Sequence, residues 1–295
     1  MNHACYPPAE ELRDDVFCYL ISESTVTFDE WQESTIMPNG LTALVFSYGT
    51  PFEYVTGLDK VGKIADVTIL GPHTKPCTNR WRHPISLFAV VFKPLGLYKL
   101  LNGNMGELKN DIIDLADYPF PNASWVSEKL AAATTMVSKV NVVEGWLKKH
   151  LALSCHKRTL TSYILKHFID CSGKLCIETV LKKMNINRRY LERLFNHQLG
   201  MSPKEYAETI RFSYIASELS KTKNMLSQEM TYLGDFHDQS HLIKHFKKHS
   251  NLSPGKFHEI ITKSHQTRFA SRMNIYKAIH GGPDVRQQFV IAEKL

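Results

Sequence analysis

The feature that most narrows the fold of this 295-residue chain is a repeat in its second half. Displaced by 51 residues, Leu191 falls on Leu242, Phe195 on Phe246, Ser202-Pro203 on Ser253-Pro254, Tyr206 on Phe257 and Ile210 on Ile261. Asn187 likewise falls on Asp238, Arg193 on Lys244 and Glu208 on Glu259. Apolar spacing, helix caps and charge coincide together, so one supersecondary unit occurs twice.

The unit reads as two short helices and a turn. Ile177, Val180, Leu181 and Met184 share one face of a first helix that ends at Asn185. Asn187 opens a second helix, because its side-chain oxygen can accept from free amides of the first turn. Tyr190, Leu191, Leu194, Phe195 and Leu199 then recur on one face until Gly200, which tolerates the left-handed conformation of a C-terminal cap. The second copy runs from Ser227 through Met230 and Leu233, turns at Gly234-Asp235, restarts at Asp238 and buries Leu242, Phe246 and part of Ile243. Two such helices make a helix-turn-helix, whose second helix fits the major groove of DNA. Between the copies, Ser202-Pro203 opens a long helix reaching about Leu219. Roughly 17 residues at 1.5 Å each span about 25 Å. That length can brace two reading helices about one DNA turn, some 34 Å, apart.

Charge supports the same partner. Residues 1–156 hold 13 Lys and Arg against 17 Asp and Glu, net −4, whereas residues 157–263 hold 18 against 10, net +8. The tail 264–295 is net +3. An acidic half joined to a basic half suggests a polyanion-binding module on a separate domain. The polar face of the first reading helix carries Arg188, Arg189, Glu192, Arg193, Asn196 and His197; that of the second carries Gln239, Ser240, Lys244, Lys247 and Lys248. Glutamine pairs with adenine edges, while arginine and lysine favour guanine edges or phosphates.

These residues resemble the AraC/XylS-type bacterial transcription regulators, whose DNA-binding domain holds two helix-turn-helix units. The resemblance rests on YLERLF (190–195) with LGMSP (199–203), and on FHDQSHLIKHFKK (236–248) with NLSP (251–254). It implies base contacts from Arg189, Glu192 and Arg193 in one helix and from Gln239, Ser240 and Lys244 in the other. Arg188, Lys247 and Lys248 would hold phosphates of double-stranded DNA, and RNA polymerase would be a further partner of an activator. Two departures stand out: Asp235 occupies a turn position where the family favours glycine, and Leu181 and Thr231 replace a small residue inside each first helix.

The acidic half reads as short strands, Val16–Ile21, Leu41–Tyr48, Phe52–Thr56, Val67–Leu70 and Ile85–Phe92, punctuated by Pro and Gly. Such spacing suggests a barrel or sandwich. Two helices follow, Ala123–Lys139 and Val142–Leu153. This order is similar to the sensor and dimerisation domain of many AraC-type regulators. The segments Pro38-Asn39-Gly40, Gly71-Pro72 and Phe92-Lys93-Pro94 resemble a cupin-like N-terminal domain. The resemblance implies a small-molecule effector and a homodimer made through the helices. The expected organisation is therefore a mainly β domain over 1–155, an all-α tandem helix-turn-helix domain over 156–263 and a mobile tail over 264–295.

Arg80-Trp81-Arg82-His83 could greet an anionic effector at a barrel mouth, or form a solvated loop anchored by Trp81. His73, Cys77 and His83 lack the paired histidines of a cupin metal site and read as loop or core residues, so no metal is expected. Six cysteines without a CxxC pair read as free thiols. Nucleophile elbow, P-loop, HExxH and dinucleotide fingerprints are all absent, so neither a cofactor nor an enzyme is expected. The competing readings are a dimeric regulator that needs no ligand and a cupin-type enzyme with an appended nucleic-acid module. With no apolar run near the roughly 18–20 residues of a membrane span and a polar N-terminus, the expectation is a cytoplasmic protein without a membrane partner.

Overall fold

The structure, a computed structural model, describes residues 2–64, 66–118, 123–151, 160–174, 177–221 and 227–263. The expected C-terminal tail and the expected boundary at 155/156 lie outside the described residues.

The first half is built on strands β1 (Asn2–Tyr6), β2 (Val16–Ser24), β3 (Gln32–Ile36), β4 (Thr42–Ser47), β5 (Phe52–Val55), β6 (Val61–Ile64), β7 (Val67–Leu70), β8 (Cys77–Trp81), β9 (Ile85–Phe92) and β10 (Ile112–Asp114). All pairings are antiparallel, in one sheet of order β1-β2-β9-β4-β7-β10 and another of order β3-β8-β5-β6. Helices α1 (Gly96–Leu101), α2 (Ser124–Ala132) and α3 (Met136–Leu151) complete this half.

The long apolar runs of β4 and β9 exist because the six-stranded sheet is covered on both faces. Leu44, Phe46, Phe88, Val90 and Phe92 project toward Val143, Trp146 and Leu147 of α3. The alternate residues Ala43, Val45 and Ala89 project toward Phe52, Tyr54, Ile64 and Trp81 of the smaller sheet. Large side chains thus fill the helix side and smaller ones let the two sheets approach, giving three layers.

Polar anchors hold α3 on the sheet. Tyr19 Oη and the Ala9 amide donate to Glu144 Oε1 at 3.1 and 2.6 Å. Lys139, nearly buried, pairs with Glu23, which also accepts from Tyr48 Oη at 2.7 Å. Burial alone would raise the Glu23 carboxyl, but the hydrogen bonds from Lys139 and Tyr48 outweigh it and hold it below its usual range.

The helix boundaries expected here are corrected. Ala123–Lys139 is not one helix: the chain breaks at Ala133–Thr135, and α3 runs unbroken through Val140-Asn141. The cause is local capping. Thr135 Oγ1 accepts from the Ser138 amide at 3.1 Å while Ser138 Oγ accepts from the Thr135 amide at 3.2 Å. Asn141 stays on the solvent face of α3, where it costs the helix little.

The second half is helical: α4 (Leu160–Asp170), α5 (Ile177–Met184), α6 (Arg188–Leu199), α7 (Pro203–Lys221), α8 (Ser227–Leu233), α9 (Gln239–Ser250) and α10 (Pro254–Lys263). The repeat is realised in three dimensions. Asn187 Oδ1 accepts from the Tyr190 amide at 2.8 Å, and Asp238 Oδ1 accepts from the His241 amide at 2.7 Å. Gly200 and Asn251 end α6 and α9 in the left-handed region, at φ 67° and 61°. Ser202 and Glu205 cap α7 reciprocally at 3.2 and 2.9 Å.

The two turns differ by one residue. Asn185 and Asp235 both turn left-handed, at φ 52° and 54°, and sit 50 apart, whereas the caps Asn187 and Asp238 sit 51 apart. His237 is the inserted residue. Asp235 therefore does the work glycine usually does there, with a short side chain that tolerates this conformation. Two hydrophobic cores result. Val180, Leu191, Phe195, Leu199, Tyr206 and Ile210 belong to the first, and Met230, Leu242, Phe246, Phe257, Phe212 and Ile215 to the second. The helix α7 donates to both. Replacing Asn187 by Ala should lower stability by about 1 kcal/mol and by Gly only a few tenths; urea titrations of the two variants check this, and equal losses would deny the cap its role.

Candidate nucleic-acid interface

Each reading helix is held by one face and presents the other. In α6 the buried Phe195 ring packs between Phe168 and Tyr206, at centroid distances of 5.6 and 6.1 Å. In α9 the buried Phe246 ring packs against Phe212 and Phe257, at 4.9 and 5.2 Å. That fixes the opposite faces toward solvent. Arg189, Glu192, Arg193, Gln239, Ser240 and Lys244 are all exposed, and so are Arg188, Lys247 and Lys248.

Their surroundings differ. Arg188 is paired with Glu178 of α5, and Lys248 with Glu208 of α7 at 2.5 Å. Either cation would have to leave its carboxylate, or share it, to hold a phosphate. Arg189, Lys244 and Lys247 have no ion-pair partner among the described residues. The Arg193 guanidinium lies over the half-exposed Tyr190 ring at 5.7 Å, so this aromatic, absent from the sequence-derived set, limits the rotamers of a base reader.

The C-terminal end of α6 does not belong to the free surface in the way its first turns do. Asn196 faces the 3-10 turn Met105–Leu108, where a Cβ added to Gly106 would stand 2.9 Å from Asn196 Nδ2. The His197 ring meets Tyr98 edge-on at 5.6 Å. The N-terminal half of the helix, the part that reaches base edges in helix-turn-helix docking, is free of these contacts.

In the β-rich half the four residues Arg80, Trp81, Arg82 and His83 do not converge on one point. Arg80 and Trp81 end strand β8 rather than forming a solvated loop, and strand alternation sends them to opposite faces. Trp81 is 4% exposed and fills the core between the sheets. The guanidinium groups of Arg80 and Arg82 lie over Trp31 at 4.8 and 4.7 Å, and Arg80 Nε pairs with Glu33 at 3.2 Å. His83 is exposed. His73 is buried with Nδ1 2.6 Å from the Gly71 carbonyl, and burial holds its pKa below the usual range. Burial pushes the Cys77 thiol up to about 12. Among the described residues no group of three or more His, Cys, Asp or Glu side chains is arranged to hold a metal ion.

Comparison with known proteins agrees with this geometry. Residues 180–260 match the family described as a helix-turn-helix domain, and residues 4–114 match a domain of unknown function (DUF6597). Over 83 residues the chain is 34% identical to the lactose operon transcription activator of Staphylococcus xylosus, covering 28% of this chain and 29% of that protein. Over 83 residues it is 30% identical to the probable transcription factor PqrA of Proteus vulgaris, covering 28% of this chain and 67% of the relative. A solved structure of ToxT from Vibrio cholerae aligns with a TM-score of 0.46 at 11% identity, over 82% of this chain and 98% of that one. The chain belongs to the AraC/XylS-type transcription regulators, with a mainly β N-terminal part consistent with a cupin-like domain and a helical C-terminal part carrying two helix-turn-helix units. It spans less than a third of the length of the lactose activator it matches.

Proposed function

We propose that the chain is a sequence-specific DNA-binding transcription regulator that inserts α6 and α9 into neighbouring major-groove segments of one duplex. The observation that carries this reading is the duplicated reading helix, capped in both copies by a side-chain oxygen at its start and a left-handed residue at its end, each copy exposing its polar first turns and burying a phenylalanine behind them. Arg189, Glu192 and Arg193 read one segment, and Gln239, Ser240 and Lys244 the other. Arg188, Lys247 and Lys248 hold phosphates and make affinity fall with salt.

The β-rich half acts in this reading as a sensor for a small-molecule effector and as the seat of a homodimer. Trp125 on α2 and Val137 on α3, 44% and 64% exposed, supply apolar contact for a second copy. RNA polymerase is the further partner if regulation is positive. The described residues contain no helix long and apolar enough to cross a membrane, in keeping with action on DNA in the cytoplasm. No turnover is assigned to either half.

Arg193→Ala tests the readout directly. Bidentate arginine contacts to guanine discriminate by about 1–3 kcal/mol, so the variant should lose roughly 5- to 150-fold on its selected site and relax preference at one base position. Binding titrations on selected and scrambled duplexes check it. Equal loss on both would reduce Arg193 to a phosphate contact.

A further inference from the structure

We propose that the loops of the β-rich half form a brace that docks on the two reading units and sets the geometry in which both helices engage DNA at once; the proposal rests on the two-segment reading above. The loop motifs singled out in the sequence, Pro38-Asn39-Gly40, Gly71-Pro72 and Phe92-Lys93-Pro94, all lead to the same place. Gly40 takes φ +77°, and a Cβ there would press within 3.2 Å of the Tyr206 ring and 3.3 Å of Ile210, both on α7. Met37, in the same loop, packs on the core of the second unit. Leu95, directly after Lys93-Pro94, packs on the core of the first.

A second line of contact runs along the end of α6. Any side chain at Gly200, the left-handed cap of that helix, would collide with Pro72 and the Met105 carbonyl. Gly106 meets Asn196 from the other side, and Lys109 Nζ pairs with Glu205 Oε1 at 2.6 Å. Glu205 is the residue that closes the α7 capping box, so the ion pair bears on the helix both units share. Burial would raise the Glu205 carboxyl, yet Lys109 and Ser202 hold it below its usual range, so this carboxylate is ionised at neutral pH.

Why should two units need a brace? Their cores are separate, and α7 donates to each from successive turns. One internal strut crosses the junction: Arg211 Nη2 donates to the Gly173 carbonyl at 3.0 Å, and its guanidinium lies 5.8 Å from the Phe236 ring. The β-rich loops add an outside support touching both cores. The docked face also leaves the first turns of α6 and α9 exposed. Docking thus holds the readers without covering them, the arrangement expected of a brace and not of a cap. The shared α7 already makes binding of the second unit intramolecular, and fixing its geometry relative to the first raises the effective concentration of that step.

The test uses the full chain carrying Gly106→Arg with Lys109→Glu, beside Lys109→Arg, which keeps the ion pair. Thermal melts establish that the β-rich half of each variant is folded. Amide exchange without DNA should quicken over residues 195–206 and 37–40 in the double variant and stay unchanged in Lys109→Arg. On a duplex bearing both segments the double variant should bind about tenfold more weakly, with unchanged affinity for a duplex bearing one segment. Unchanged exchange and affinity would overturn the brace, and so would tighter binding, which would mean that docking restrains the readers. If the unaltered chain bound no duplex at all, the functional reading would fall and the brace with it, an outcome distinct from the other two.

Discussion

Between pH 7.5 and pH 5 the second reading unit should lose stability that the first retains. His245 and His249 stand one turn apart on α9, 8% and 1% exposed, with ring centroids 4.6 Å apart. Phe236 packs on the first ring at 5.1 Å and Phe212 stacks on the second at 5.4 Å. Burial drives His245 down to about 3, and repulsion from a second proton on His249 and from the charges of Arg211 and Lys248 acts in the same direction. His249 is also lowered by burial and Lys248, partly offset by its bond to the His245 carbonyl and by Glu208.

Folding therefore favours the neutral form of both rings. An unfolded histidine takes up its proton near pH 6.5, so below that value the unfolded state binds more protons and stability falls, levelling off for His245 only near its folded value. At pH 5 the His245 contribution amounts to roughly 2 kcal/mol, and His249 adds in the same sense. The matching positions of the first unit are Leu194 and Gln198, which do not titrate. Glu23 does not confuse the comparison, because its stabilisation is lost only as pH falls through a folded pKa below 4.5. His73 shifts in the same direction as His245, so the β-rich half is an unsuitable reference and the first unit the proper one. Amide exchange over α6 and α9 at several pH values measures the difference. Parallel loss of protection in both units, or undiminished acid sensitivity in His245→Leu, would refute it.

The helical half was legible because its boundaries are written in neighbouring residues. A cap oxygen at Asn187 or Asp238 and a left-handed Gly200 act within one turn, so sequence position and structure coincide. Strands β4 and β9 were legible for a different reason: burial on both faces demands unbroken apolar runs. By contrast β3, reading Gln-Glu-Ser-Thr-Ile, is exposed over its middle, and β8, reading Cys-Thr-Asn-Arg-Trp, buries only its two ends, so both carry little periodic signal. The reading surface followed from helical spacing. What escaped was everything made by residues far apart in the chain. The contact of Gly106 with Asn196, the pairing of Arg188 with Glu178 and the burial of His245 among aromatic rings leave no trace in local periodicity.

Phe246→Ala should cost about 3–5 kcal/mol, the usual range for emptying a buried phenylalanine site. Its ring is inaccessible and lies against both Phe212 of α7 and Phe257 of α10, so the loss falls on the core that orients α9. The first core, centred on Phe195, shares no member with it, so α6 should keep its protection. The consequence for DNA follows from this independence. A chain with one working reader should protect one groove segment where the unaltered chain protects two, and should depend less steeply on salt because the phosphate contacts of Lys247 and Lys248 go with α9. Phe195→Ala should remove the other segment. Footprints of the two variants on one duplex would then be complementary halves of the full protected region. If both variants lost the whole footprint together, the units would fold as one body and the two-reader account would fail. The brace makes the pair unequal: Leu95, Gly40 and the Met105–Leu108 turn meet the first unit and Met37 the second, so Phe195→Ala should unfold its unit less completely than Phe246→Ala does.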